Sequence, residues 1–288
     1  MKKLLFVFLA LFITSPVLAY DYSQMCPIPP YPVSNKFAQI ISTATGTNFL
    51  LTQVAESVME KSLKKELDSN FQVNIKPYGA KNFIDGKFRE LTVSSPKIVY
   101  SGTSVSDFHA STMCNYNHVV LKKHDIAFAE NFVLRYSTLI TNKDLQYTTA
   151  SKEYSSLLNK LTVSVGNKIL FKVFDPNAVI ENNRIKFSFK VITPLFFVDE
   201  VSTVNLSTSL SVKNEKLVFS DISTGDKSDA YNHALGKMLT VINKLNPLTY
   251  NVPVSKSAEG ILKVQNVKIT NSKIYVDGVF IIPKNYAM

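Results

Sequence analysis

The chain has 288 residues, of which 45% are hydrophobic and 19% charged, and its 32 basic residues outnumber 22 acidic ones for a net charge of +10 at pH 7. This length suits one large domain or two small ones and is ample for a buried core. The nine glycines of the chain leave little material for a phosphate-cradling loop, which disfavours the nucleotide-binding classes that depend on one.

Residues 1–19 have the pattern of a secretory signal peptide. Two lysines form a basic head, an apolar run follows, and Val17 and Ala19 suit a small-residue cleavage site. The run is shorter than the ~20 residues that a membrane-spanning helix needs. We therefore expect cleavage before Tyr20, export, and a periplasmic or cell-envelope location, with a retained membrane anchor as the alternative.

The mature chain is strongly basic. Loss of the two leader lysines leaves thirty basic residues against 22 acidic ones, a net charge of about +8. For an exported chain, anionic lipid headgroups or cell-wall polyanions are more suitable partners than nucleic acid, so we expect no nucleic-acid partner. A solvated surface is the simpler interpretation of each basic run taken alone.

Cys26 and Cys114 are the only cysteines. An oxidising compartment permits one disulfide between them, which would tie the N-terminal arm to the body of the protein. Two free thiols are the alternative.

Residues 20–35 are rich in proline and tyrosine, which predicts an extended arm. From Lys36 to Leu67 there is no proline, and apolar residues recur at three- and four-residue steps. This is the pattern of an amphipathic helix, with a weak point at residues 45–48. A continuous helix would be roughly 45–50 Å long and would need a long partner surface.

Alternation of apolar and polar residues then predicts the strands of an antiparallel sheet with one apolar face. The main predicted strands lie at 71–75, 91–93, 98–100, 131–136, 185–191 and 204–212. Turns are expected at 181–183 and 213–215.

A second amphipathic helix is predicted near 228–245, where Pro247 prevents its continuation. Closing strands follow at 261–264, 267–269 and 273–276. The order of one long helix, many strands, a second helix and closing strands indicates an α+β fold. No change of composition marks a linker, so residues 36–288 are predicted to form a single domain.

Catalytic chemistry is not apparent in the sequence. Residues 102–106 begin like a nucleophile elbow but lack its closing glycine. Ser104, Asp107 and His109 could form a hydrolytic group. The simpler interpretation is that they are polar residues on the solvent-exposed face of a strand. The histidines and cysteines lack metal-ligand spacing, and we expect no enzyme activity, catalytic residue, metal or cofactor.

Irregularities between residues 91 and 111 point to a curved sheet. Proline belongs at a strand edge or bulge and glycine at a bend, and this stretch contains Pro96 and Gly102. Phe108 also falls out of step with Val105, which indicates a bulge. Because bulges and glycine kinks curve a sheet, we expect a strongly curved sheet that wraps the long helix.

The order of elements resembles a known family. A signal peptide and a long helix precede residues 86–93, which lead into a strand pair; the helix near 228–245 and the closing hairpin ILKVQNVKITNSKIYVDGVFIIP follow. This order is similar to that of the LmeA-like phospholipid-binding proteins of bacterial cell envelopes, in the tubular lipid-binding (TULIP-like) superfamily. The resemblance covers about residues 36–283, and the proline-rich arm lies outside it. It implies a curved antiparallel sheet rolled around a long helix, an apolar cleft for acyl chains between them, and no catalytic residues.

A groove lined by branched and aromatic side chains is sufficient to bind an acyl chain, which gains about 0.8 kcal/mol for each CH₂ removed from water. The residues predicted to line it are Leu51, Val54, Val58, Phe187, Phe189, Val191, Leu206 and Leu210. Ordinary core packing is the alternative for each of them. Lys61, Lys64 and Lys65, near the end of the long helix, are predicted to contact anionic headgroups or a membrane surface, although a favourable charge at a helix C-terminus explains them equally well.

The leading prediction is therefore an exported protein that binds or carries a lipid. A structural or adhesive envelope module without a lipid cavity, which would bind a protein or glycan, is the first alternative. An exported hydrolase acting on lipid or glycan is the second. The sequence predicts neither the lipid nor the oligomeric state.

Overall fold

The computed structural model describes the following residues: 21–27, 32–33, 39–40, 46–67, 69–122, 125–159, 163–165, 168–195, 198–224, 251–254 and 258–286. Its helical segments are a 3-10 turn at Tyr22–Met25 and the helices α1 Thr47–Leu67, α2 Ala80–Ile84, α3 Asn142–Ala150 and α4 Lys152–Asn159. Its strands are β1 Gln72–Pro77, β2 Lys87–Tyr100, β3 Thr103–Thr112, β4 Asn117–Lys122, β5 Asp125–Phe128, β6 Phe132–Thr141, β7 Val163–Val165, β8 Lys168–Glu181, β9 Arg184–Leu195, β10 Val198–Lys213, β11 Lys216–Thr224, β12 Asn251–Pro253, β13 Glu259–Ile269 and β14 Lys273–Ile282.

The strands form two antiparallel sheets. Sheet 1 has the order β12-β13-β14-β6-β3-β2-β4-β5, with β1 also paired to β2, and sheet 2 has the order β11-β10-β9-β8-β7. The fold contains a strongly curled, half-barrel antiparallel sheet, which confirms the predicted curvature. More than half of the residues that the structure describes lie in strands and few lie in helices, so for these residues the α+β prediction overstated the helical content.

The turns between strands have the geometry expected of tight hairpins. Asn182 and Asn183 join β8 to β9, and Asn214 and Glu215 join β10 to β11, all with φ between 52° and 59°. Two successive residues at positive φ are characteristic of the turn whose twist matches paired strands. Both turns were predicted from the sequence and are confirmed.

Three bulges bend the strands. Asp107 in β3, Asp175 in β8 and Asp221 in β11 have φ of 49°, 54° and 50°, each at a shift in strand register. Aspartate tolerates this left-handed conformation better than most residues, and a bulge bends its strand and increases the local twist. The shift in β3 lies between Ser106 and His109, which confirms the bulge predicted at Phe108.

Among the described residues, the predicted long helix is not seen as one continuous element. Helix α1 has 21 residues and begins directly after Gly46, whose φ is +71°. A left-handed residue cannot continue an α-helix, so the weak point foreseen at residues 45–48 is where α1 begins. Its length is about 31 Å, well short of the predicted length.

Helix α1 is joined to sheet 1 through the free edge of β1. The backbone N–H of Ile75 donates to Glu56 Oε1 at 2.7 Å, and that of Val73 donates to Glu60 Oε1 at 2.9 Å. An edge strand normally presents such donors to water or to another chain. Two carboxylates of α1 therefore accept the backbone hydrogen bonds that a neighbouring strand would otherwise accept.

One face of sheet 1, which we call the inner face, is covered by two different elements. At one end, Ala55, Met59 and Leu63 of α1 pack on a cluster that includes Phe132 and Ile282. At the other end, sheet 2 packs on a cluster drawn from both sheets, whose buried members are Ala110, Tyr136, Ala178, Ile180, Ile185, Leu217, Val264, Ile274 and Val276. Phe280 of β14 packs against both clusters and marks where the two coverings meet.

The opposite, outer face of sheet 1 is covered by the N-terminal segment. Tyr22 is buried against Val133, Val279 and Ile281. A disulfide between Cys26 and Cys114, 88 positions apart, holds this segment in place. The described part of the predicted arm is therefore docked on the sheet.

The same segment also fixes sheet 2 to sheet 1. The Tyr22 hydroxyl donates to the carboxylate of Glu215, in the turn between β10 and β11, and Lys263 Nζ of β13 donates to its other oxygen at 2.5 Å. The backbone N–H of Val264 donates to the carbonyl of Glu215 at 2.8 Å. These bonds connect the arm, sheet 2 and sheet 1 at one point.

A buried carboxylate holds the start of α3 against β3. Asp144, 2% exposed, accepts hydrogen bonds from Ser104 Oγ at 2.6 Å, Ser106 Oγ at 2.8 Å and Thr141 Oγ1 at 2.6 Å. Burial alone would raise the pKa of Asp144, but these hydroxyls and the Thr141 N–H outweigh it and hold the pKa below its usual value.

The signal peptide at 1–19 and the second helix near 228–245 lie outside the described residues, so they stay predictions.

Loss of either helix carboxylate should open the edge of β1. We expect Glu56→Ala or Glu60→Ala to lower the free energy of unfolding by about 1–2 kcal/mol, because a backbone donor loses its partner. Amide hydrogen exchange should accelerate at Ile75 and at Val73, respectively. Lys61→Ala, on the exposed side of α1, is the control, and exchange rates equal to those of this control would contradict the assignment.

The Asp144 cluster should make stability depend on pH. Because the folded pKa lies below the unfolded value of about 4, the carboxylate stabilises the fold above that pH, and this contribution is lost as the pH falls through the folded pKa. Asp144→Asn should cost about 2–4 kcal/mol at pH 7 and reduce the loss of stability between pH 4 and lower values, as measured by urea unfolding. The exposed Asp107→Asn is the matched control; an equal change in both variants would refute the prediction.

Candidate functional site

One face of sheet 2 is largely apolar where its side chains are described. On β9, Ile185, Phe187, Phe189 and Val191 point to this face and alternate with polar residues. At one end it packs on sheet 1, and at the other it packs under Tyr154 and Leu158 of α4; the other members of this second cluster are Val173, Val204, Leu206 and Phe219. The face therefore continues past the point where sheet 1 covers it.

The five sheet residues predicted to line a lipid groove all lie on this face. Phe189, Val191 and Leu206 are at most 6% exposed and belong to the cluster under α4. Phe187 and Leu210 are only partly buried and pack against the cluster between the two sheets. The structure thus brings these five residues together.

A band of incompletely buried apolar side chains follows the junction of the two sheets. We call it the intersheet band; its members are Phe108, Leu262, Val267, Ile269 and Phe280 from sheet 1 and Phe187, Leu210, Val212 and Phe219 from sheet 2. Fully buried core residues lie beneath it. Apolar side chains that stay partly accessible between two sheets are candidates for contact with an apolar ligand.

Aromatic rings give the band its shape. Phe187 and Phe219 meet edge to face, with ring centroids 5.5 Å apart and an interplanar angle of 82°. The Phe280 ring lies over Gly260, where a Cβ atom would come within 1.9 Å of Phe280 Cζ. A side chain at residue 260 would therefore require the Phe280 ring to move.

The three helix residues predicted for the same groove lie on a different surface. Val54 and Val58 are 65% and 58% exposed, as are Phe49 at 66% and Leu50 at 64%. The side of α1 that packs on sheet 1 carries Ala55, Met59 and Leu63 instead. Leu51 is partly buried, and it is not among the residues of the clusters that contain the five sheet residues. The three predicted lysines, Lys61, Lys64 and Lys65, are exposed on α1.

The candidate hydrolytic residues do not form a triad in the structure. Ser104 is 1% exposed and donates its hydroxyl hydrogen to Asp144. His109 Nε2 lies 3.1 Å from Asp107 Oδ1, and both side chains are more than 60% exposed. The buried serine therefore has a structural partner, while the histidine and aspartate are paired with each other at the surface.

A pocket of about 490 Å³ lies at the turn between β2 and β3 and the start of α4. Its lining residues are Val99, Ser101, Gly102, Tyr147, Ala150, Ser151, Lys152 and Glu153. Its lining is part polar and part apolar, and none of the residues predicted to bind lipid belongs to it.

Among the described residues, no group of three or more His, Cys, Asp and Glu side chains is arranged to hold a metal ion. None of the helices described is both long and apolar enough to cross a bilayer.

The chain matches no protein-family model, no curated protein and no solved structure. Its resemblance to the LmeA-like proteins therefore stays a prediction.

Proposed function

We propose that the protein binds or carries a lipid in the cell envelope, with the acyl chain lying along the intersheet band. The observation that carries the proposal is that this band remains partly accessible above a fully buried core. Phospholipid is the cargo that the family resemblance favours. The chemistry required is apolar burial alone, so the protein acts without catalysis.

The energetics support a lipid as the occupant. An acyl chain gains about 0.8 kcal/mol for each CH₂ transferred from water to an apolar groove, so ten such groups contribute about 8 kcal/mol before the costs of association. The band offers only branched and aromatic side chains, which suit a chain without polar groups. The headgroup would stay at the solvent-facing end.

The location of the proposed groove differs from the one inferred from the sequence. That inference put the acyl chain between the long helix and the sheet, whereas Val54 and Val58 are turned away from sheet 1. Phe187 and Leu210 belong to the intersheet band. The proposal therefore retains two of the five predicted sheet residues and places the acyl chain between the two sheets.

Export is part of the same proposal. The disulfide between Cys26 and Cys114 is weakly suggestive of an oxidising compartment. The pattern of residues 1–19 and the basic net charge are consistent with a location at the envelope.

A structural or adhesive module is the second candidate. Phe189, Val191 and Leu206 are at most 6% exposed, as they would be in an ordinary core. If the intersheet band merely forms the rim of that core, no lipid is needed and a protein or glycan would be the partner.

Native mass spectrometry of the full-length mature protein should distinguish the two candidates. We expect a discrete added mass that extracts as phospholipid, near one molecule per chain. Leu210→Trp should lower the bound fraction, because displacing two CH₂ groups costs about 1.6 kcal/mol, or roughly 15-fold in affinity. Val201→Trp, on the same strand but 54% exposed, is the control.

Circular dichroism of both variants would show whether the fold is retained. A bare polypeptide mass, with no lipid taken up from liposomes, would refute the proposal and favour the packed module. The same conclusion would follow if the two tryptophan variants bound lipid equally.

A further inference from the structure

The outward side of α1 carries an unusual surface. Leu50, Val54 and Val58 are separated by four residues each and therefore form a stripe on one side of the helix. Each is more than half exposed, and so is the adjacent Phe49. A helix of a soluble protein usually packs such residues on the core, so we expect this exposed stripe to contact a partner.

The charges of α1 are divided between its two sides. Glu56 and Glu60 point inward, where they accept hydrogen bonds from the backbone of β1. Lys61, Lys64 and Lys65 are exposed, and Lys61 and Lys65 continue the line of the apolar stripe. We call Phe49, Leu50, Val54, Val58 and these three lysines the α1 outer face. It combines apolar and cationic side chains and contains no carboxylate among its members.

We propose that the α1 outer face docks on an anionic phospholipid bilayer. An interfacial helix inserts its apolar residues at the level of the headgroups while lysines bind the anionic surface. A favourable charge at the helix C-terminus would explain Lys64 and Lys65, but it does not explain the exposed apolar stripe beside them. The basic net charge of the chain favours the same partner over a cationic or neutral one.

Docking requires no rearrangement of the helix. The opposite side of α1 is already fixed to sheet 1 by the two carboxylates and by Ala55, Met59 and Leu63. The inner face of sheet 1 carries α1 at one end and sheet 2 at the other, with Phe280 in contact with both clusters. The docking goes beyond lipid binding in the band and does not depend on it.

Sedimentation with vesicles tests the docking. The mature protein should bind vesicles containing about one-third phosphatidylglycerol at about 0.1 M salt, and release at about 0.5 M salt. Replacing Lys61, Lys64 and Lys65 together by Gln should lower the partition coefficient on the order of 100-fold, since each lysine contributes about fivefold. The matched control replaces Lys213, Lys268 and Lys273, which are exposed on the sheets, and should lose far less.

Glutamate substitutions test the apolar part of the α1 outer face. Val54→Glu combined with Val58→Glu should abolish sedimentation with the same vesicles, whereas Val201→Glu, an equally exposed valine of sheet 2, should not. Failure of the unaltered protein to bind anionic vesicles, or equal losses in the α1 variants and their controls, would overturn the proposal.

The bound lipid of each variant, measured by native mass spectrometry, keeps the two proposals apart. We expect the α1 variants purified with lipid to retain it, which would show that docking and cargo binding are separate. Vesicle binding by a protein that never carries lipid would sustain the docking and refute the groove. A lipid-loaded protein that does not bind anionic vesicles would support the groove and refute the docking.

Discussion

The apolar inner face of sheet 1 must be kept from water over its whole length, and the rest of the fold follows from how this is done. Helix α1 covers one end and sheet 2 covers the other. Their coverings meet at Phe280. Where sheet 2 packs on sheet 1, the apolar side chains of the intersheet band stay partly accessible. The proposed groove is thus a consequence of the architecture and needs no special chemistry.

The intersheet band exists only while sheet 2 stays packed on sheet 1. Tyr22, Glu215 and Lys263 connect the N-terminal segment to both sheets, and the disulfide anchors that segment on the outer face of sheet 1. Burial works against the charge of Glu215, but Lys263 and Tyr22 hold its pKa below the usual value. The N-terminal arm, which precedes the residues covered by the family resemblance, therefore has a structural role that its composition did not reveal.

Much of the sheet could be predicted because its signals are local. The alternation at 185–191 and the Asn182-Asn183 turn depend on neighbouring residues only, as does the bulge beside Phe108. The side of α1 that packs inward could not be predicted in this way, because apolar residues occur on both sides of the helix and periodicity does not say which side meets a sheet. Helix α3 was missed because its start is fixed by Asp144, whose partners Ser104 and Ser106 come from a distant strand.

The most direct test of the account is to locate the acyl chain. A phospholipid with a photoreactive diazirine near the end of its acyl chain would be loaded into the mature protein, crosslinked and mapped by peptide mass spectrometry. The account predicts crosslinks to Phe187, Leu210 or Phe219 of the intersheet band. Crosslinks confined to Val54 and Val58 of α1, or none from a protein that has taken up the probe, would contradict the placement of the lipid between the two sheets.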